Sequence, residues 1–201
     1  MKKILPLFSY IFHPIFISVY ATLLYLFANS SYFANQEKYF VLFQVIIITI
    51  LIPILFFFLL RYTGKISSIM VPGLSERKIP LVIQCFLIIF LVRKSISITR
   101  YPELHFFFLG TLLSTMIALI LLFVKTKVSL HMIGISALTL FVFGLSLHYQ
   151  TQDIYTIAFF ILMNGLVASS RIEMKAHTIK ELIFGLLLGS IPQMLLMYLW
   201  L

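Results

Sequence analysis

Long apolar runs broken by short polar segments set the pattern of this chain. The runs are Phe8–Ala28, Tyr39–Tyr62, Ile79–Ile98, Leu104–Val124, a fifth opening at Lys125–His131 and reaching Tyr149, Ile154–Ser169, and Thr178–Leu201. A helix needs about 20 apolar residues to cross the hydrocarbon of a bilayer, so each run predicts a spanning helix. Pro14 and Pro53 fall inside the first two and predict kinks. The expected fold is an all-α integral membrane protein, a bundle of six to seven transmembrane helices forming a single domain over residues 1–201. Met1-Lys2-Lys3 resembles the start of a signal peptide, but the apolar run after it is too long for one, and a retained first span is expected.

Composition agrees. The 201 residues are 62% apolar and only 10% charged, with mean hydropathy +1.10, where a soluble domain is nearer one quarter charged. The net charge of +9 fits positive-inside loops or an anionic headgroup site better than nucleic acid. The lone cysteine, Cys85, excludes a disulfide framework.

Seven crossings would place the N-terminus, the Arg77 loop, the His131 loop and the Arg171–His177 loop on one side of the membrane. That side carries 11 of the 15 Lys and Arg residues; only Lys38, Arg93, Lys94 and Arg100 lie on the other. The positive-inside rule then puts the basic side in the cytoplasm. The expected location is a membrane, crossed by the chain.

The polar segment from Ser169 to Gly185 carries the chemistry. His177 and Glu181 are four apart and share a helix face. A carboxylate there holds an imidazole in one tautomer and prepares it as nucleophile or base. Arg171 offers a planar fork of donors suited to phosphate. No metal-ligand spacing is visible around His131 or His177, and no metal or other cofactor is expected. His13 reads as a structural hydrogen-bonder, His105 and His148 as interfacial residues, and Asn164, Gln44 and Gln84 as interhelical hydrogen-bonders.

Ser170-Arg171, five residues, His177, three residues and Glu181 resemble the third motif of the type 2 phosphatidic acid phosphatase superfamily, which ends in Asp where this chain has Glu. Ser129-Leu130-His131 is similar to the second motif, Pro-Ser-Gly-His. Arg77-Lys78-Ile79-Pro80 looks like a degenerate first motif, whose Lys would fall on Met70. The resemblance covers about Ser75 to Gly185. It implies a phosphatidic acid phosphatase type 2-like bundle that hydrolyses a lipid phosphate or isoprenyl (pyro)phosphate without metal, through a phosphohistidine. In that reading His177 is the nucleophile, Glu181 orients it and His131 is the general acid. Arg171, Arg77, Lys78, Ser129 and Ser170 bind the phosphoryl oxygens. Bacterial members of this superfamily commonly face the periplasm, against the charge rule. Met70, Leu130 in place of glycine, and Lys125 or Lys127 as stand-in cations are departures from the motifs. They keep open an inactive relative that binds anionic lipid headgroups or a partner membrane protein; a transporter fits less well, since no intramembrane charge pair is evident.

Overall fold

The computed structural model describes residues 4–28, 32–66 and 73–201. Among them every regular element is helical. These are α1 (Leu5–Ile11), α2 (Pro14–Ala28), α3 (Asn35–Ile46), a π-helical segment (Ile47–Leu51), α4 (Ile52–Tyr62), α5 (Lys78–Lys94), α6 (Pro102–Phe123), α7 (Leu130–His148), α8 (Ile154–Glu173) and α9 (Ile179–Met197). Five spans are long and apolar enough to cross a bilayer: Asn35–Tyr62, α6, α7, α8 and α9. A sixth is available if α1 and α2, bent by 65° to each other, are taken as one broken span. The run expected to span from Ile79 to Ile98 is the 17-residue α5, about 26 Å long at 1.5 Å per residue. It stops at Arg93-Lys94 and is not among the helices long enough to cross, so the seven crossings expected from the apolar runs become five or six among the described residues.

Proline explains both irregular elements. At His13-Pro14 the missing N–H ends α1 and restarts the chain as α2 in a new direction. At Pro53 the ring would collide with the carbonyl four residues back. The five-residue π segment just before it widens the turn, so that Asn35–Tyr62 continues as one span.

The outside of the bundle is apolar. Leu55, Phe86, Ile120, Leu162 and Leu195 are all exposed, a surface that suits hydrocarbon rather than water. The interior holds Tyr25, Phe107, Phe108, Phe141, Leu104, Ile135 and Leu138, fully enclosed. α9 lies between α6 and α7, where small residues let backbones approach. A Cβ on Gly185 would stand 2.6 Å from the Ser129 carbonyl oxygen, and one on Gly189 would overlap the Ile133 carbonyl and the Ser136 hydroxyl. On the other flank the Ser114 hydroxyl donates to the Leu188 carbonyl at 2.7 Å, and Gln193 Nε2 donates to the Phe107 carbonyl at 3.0 Å.

Polar side chains close both ends. At one end Glu103, buried at the start of α6, accepts from the hydroxyls of Tyr25 (2.8 Å) and Tyr149 (2.9 Å), with His148 Nε2 3.2 Å away. Beside it Arg100 makes a two-pronged contact with Glu37. The other end gathers the residues singled out above.

Gly185→Ala is expected to cost about 1–3 kcal/mol of stability, because the Ser129 backbone cannot yield. Gly165→Ala, where nothing lies within 4 Å, is expected to be neutral or to gain up to about 1 kcal/mol from helix propensity. Thermal unfolding of both variants in one detergent checks the contrast.

Candidate functional site

Two turns of like construction make the floor of the site. α6 ends with Lys125 in the left-handed region (φ 59°), and the Thr126 N–H reaches back to the Leu121 carbonyl at 2.9 Å. α8 ends with Lys175 at φ 52°, and the Ala176 N–H reaches back to the Arg171 carbonyl at 3.0 Å. Both are Schellman-type endings. Each chain then starts the next helix on a hydroxyl cap: Ser129 Oγ accepts from the Met132 N–H, and Thr178 Oγ1 from the Glu181 N–H, both at 3.4 Å. The turns are docked together. The Ser129 N–H donates to the Glu181 carbonyl at 3.2 Å, and Lys127 Nζ donates to the Ala176 carbonyl at 2.8 Å.

Thr178-x-x-Glu181 has the spacing of a capping box, but the Glu181 side chain goes elsewhere. Its Oε2 lies 2.6 Å from His177 Nδ1. A carboxylate only accepts, so Nδ1 carries the hydrogen and Nε2 keeps its lone pair. The His177 side chain is 3% exposed. Burial pulls its pKa below 6.5, the nearby cations Lys127 and Arg171 add to that, and Glu181 pulls the other way. The imidazole is therefore neutral at pH 7, with an available lone pair. Lys127 Nζ sits 3.8 Å from the same Glu181 oxygen and steadies the carboxylate.

Arg171, one turn before the end of α8, has no carboxylate partner among the described residues. One of its terminal nitrogens touches the Met174 sulfur at 3.8 Å, and its buried Nε has no hydrogen-bond partner. A buried guanidinium nitrogen left open is costly unless an anion completes it. Arg77, capping the start of α5, lies within electrostatic reach of both Arg171 and Glu181. Burial lowers its pKa while Glu181 raises it.

His131, in the first turn of α7, is within electrostatic reach of Arg171, His177 and His13. Its Nε2 lies 3.2 Å from the Ser9 carbonyl of α1, and its ring meets His13 edge-on, centroids 5.1 Å apart and planes at 89°. Ser170 is fully buried, its hydroxyl 2.6 Å from that of Ser9.

The structure thus brings His177, Glu181, His131, Arg171 and Arg77 to one end of the bundle. Ser129 and Ser170 lie in its floor, engaged as a helix cap and as the anchor of α1. Lys78 points its ammonium at the Phe123 ring, 4.5 Å from the centroid. Leu130, where the motif has glycine, packs against the small apolar cluster of Ala118, Val128 and Ile133. Met70 lies outside the described residues. Two residues that the sequence did not place here belong to the site, Ser9 and His13, while Lys127, one of the two stand-in cations, sits on Glu181. The His-Pro break was the available signal for the first two, since it turns α1 back over the bundle end.

Comparison with protein-family models, curated proteins and solved structures returned no match.

The His177 imidazole is expected to titrate below the ordinary histidine range. Lys127→Met, which removes a cation, should raise its midpoint; Glu181→Gln, which removes the opposing anion, should lower it further. Nitrogen NMR of histidine-labelled protein in micelles reads both shifts, and movement in the reverse directions would reject the assignment of charges.

Proposed function

We propose that the chain is a metal-independent membrane phosphatase of the type 2 phosphatidic acid phosphatase kind, hydrolysing a lipid phosphate or isoprenyl (pyro)phosphate. One observation carries this reading. A neutral, carboxylate-held histidine shares a membrane-protein end with a buried guanidinium that, among the described residues, has a donor open and no carboxylate partner. A phosphoryl group complements both. Arg171 and Arg77 take its oxygens, and His177 Nε2 attacks phosphorus. The P–N bond forms as the P–O bond to the leaving group breaks. Glu181 stabilises the imidazolium character that develops on the ring. His131, protonated on both ring nitrogens as the step begins, gives the leaving oxygen one proton and then takes one from the water that attacks phosphorus, which returns it to its starting state. The P–N bond breaks and free histidine returns. Phosphoryl transfer asks little of a protein beyond such positioning and charge.

The alternative is a relative that binds an anionic headgroup without turnover. It draws on Ser129, whose hydroxyl is fully buried in a helix cap. Against it, Leu130 is committed to the Val128 cluster rather than to blocking the site.

Detergent-purified protein is expected to release phosphate from phosphatidic acid or a polyprenyl diphosphate with chelator present. His177→Ala should reduce release by about 1000-fold or more, and His131→Ala by about 100- to 10,000-fold. Folded protein that releases none from either substrate, or a His177→Ala variant as active as the parent, would overturn the proposal.

A further inference from the structure

The break at Phe12–Pro14 places α1 where a simple membrane anchor has no reason to be. α1 and α2 are bent by 65°, and α1 packs on the end of α8, where the Ser9 and Ser170 hydroxyls meet at 2.6 Å. Ser170 is next to Arg171, so the seven residues of α1 are fastened beside the guanidinium. Two further contacts run from this strap to His131. The Ser9 carbonyl lies 3.2 Å from Nε2. A carbonyl oxygen only accepts, so the proton is on Nε2, and Nδ1 is left as the nitrogen that gives or takes a proton during turnover. The His13 ring then meets the His131 ring at 89° with centroids 5.1 Å apart, an edge-to-face arrangement that resists rotation of either ring.

His13 is itself held. Its Nδ1 faces the Ile15 N–H at 3.3 Å, at the start of α2, where Pro14 supplies no N–H of its own. That fixes the His13 tautomer with the hydrogen on Nε2 and fixes its ring against the first turn of α2. Two imidazoles far apart in sequence thus meet edge to face, each with one nitrogen on a backbone group, and His131 is within electrostatic reach of a third at His177.

We propose that His13 is a positioning residue of this site, which with the Ser9 carbonyl holds His131 in one ring orientation with its fixed hydrogen on Nε2, so that Nδ1 is the nitrogen that takes up the transferred proton, gives it to the leaving oxygen from the doubly protonated ring, and takes one back from the attacking water. This rests on the phosphatase reading for its chemistry, while the tautomer claim stands apart from it. The ring contact does the positioning, so an aromatic replacement should serve and a small one should not.

The test uses the full-length protein in detergent. Histidine nitrogen NMR of the parent should show His131 as the Nε2–H tautomer, assigned through His131→Gln. His13→Ala should give a mixture of tautomers at His131, and His13→Phe should keep the parent's. On the best releasing substrate, His13→Ala should lower kcat about 10- to 100-fold, the usual cost of a misaligned catalytic group, with KM changed less than about threefold. His13→Phe should retain kcat within about threefold of the parent. Size exclusion and thermal unfolding confirm that each variant is folded. A His131 tautomer unmoved in folded His13→Ala would overturn the proposal, and so would a His13→Phe variant as defective as His13→Ala. Absence of turnover in the parent would sink the phosphatase reading alone, because the NMR comparison of parent, His13→Ala and His13→Phe still decides the positioning claim.

Discussion

The close packing of α9 on α7 is the contact on which the site depends. Gly185 and Gly189 present no side chain, and the α9 backbone comes down onto the carbonyls and hydroxyls of the first two turns of α7. Only at that separation can the Ser129 N–H meet the Glu181 carbonyl and Lys127 reach Ala176. The loop from Lys175 to Thr178 is thereby pinned beside the turn that carries His131. In a bilayer the hydrophobic effect does little to press helices together. Steric fit and hydrogen bonds such as those of Ser114 and Gln193 have to do it.

The electrostatics follow from that geometry. Glu181 is shared between the His177 imidazole and the Lys127 ammonium, so it is in effect spent. Arg171 lies within electrostatic reach of Arg77 and has no carboxylate partner among the described residues. Two guanidinium groups near each other in partly buried positions repel, and the surrounding packing sustains that repulsion.

Sequence pattern carried the helices well, because runs of about 20 apolar residues have few other solutions. It misjudged where they end. α8 continues through Ser170 and Arg171 to Glu173, since a helix need not stop where hydrocarbon stops. Conversely, α5 ends at Lys94 although apolar residues alternate on to Ile98. Glu103, just outside the apolar run Leu104–Val124, is buried and accepts from Tyr25, 78 positions away, and Tyr149, 46 positions away, contacts that no local pattern encodes. At the site, the i,i+4 spacing of His177 and Glu181 was legible because a single helix start fixes it. Ser9 and His13 were not, because their roles arise from tertiary placement. Ser129 shows the limit from the other side: a hydroxyl matching a motif is occupied with starting its own helix.

The Ser9–Ser170 contact joins residues 161 positions apart, and this has a consequence for how the protein is made. A ribosome adding roughly 5–20 residues per second leaves the N-terminal segment waiting about 10–30 s before its binding surface on the eighth helix has been synthesised. During that interval the first segment has to be lodged in the membrane by its own apolar residues, without the serine that will later hold it. The nascent chain then carries His13 and His131 well before His177 has been made. The three imidazoles come together in one late step, when the end of α8 and the turn after it are in place and α1 docks on them.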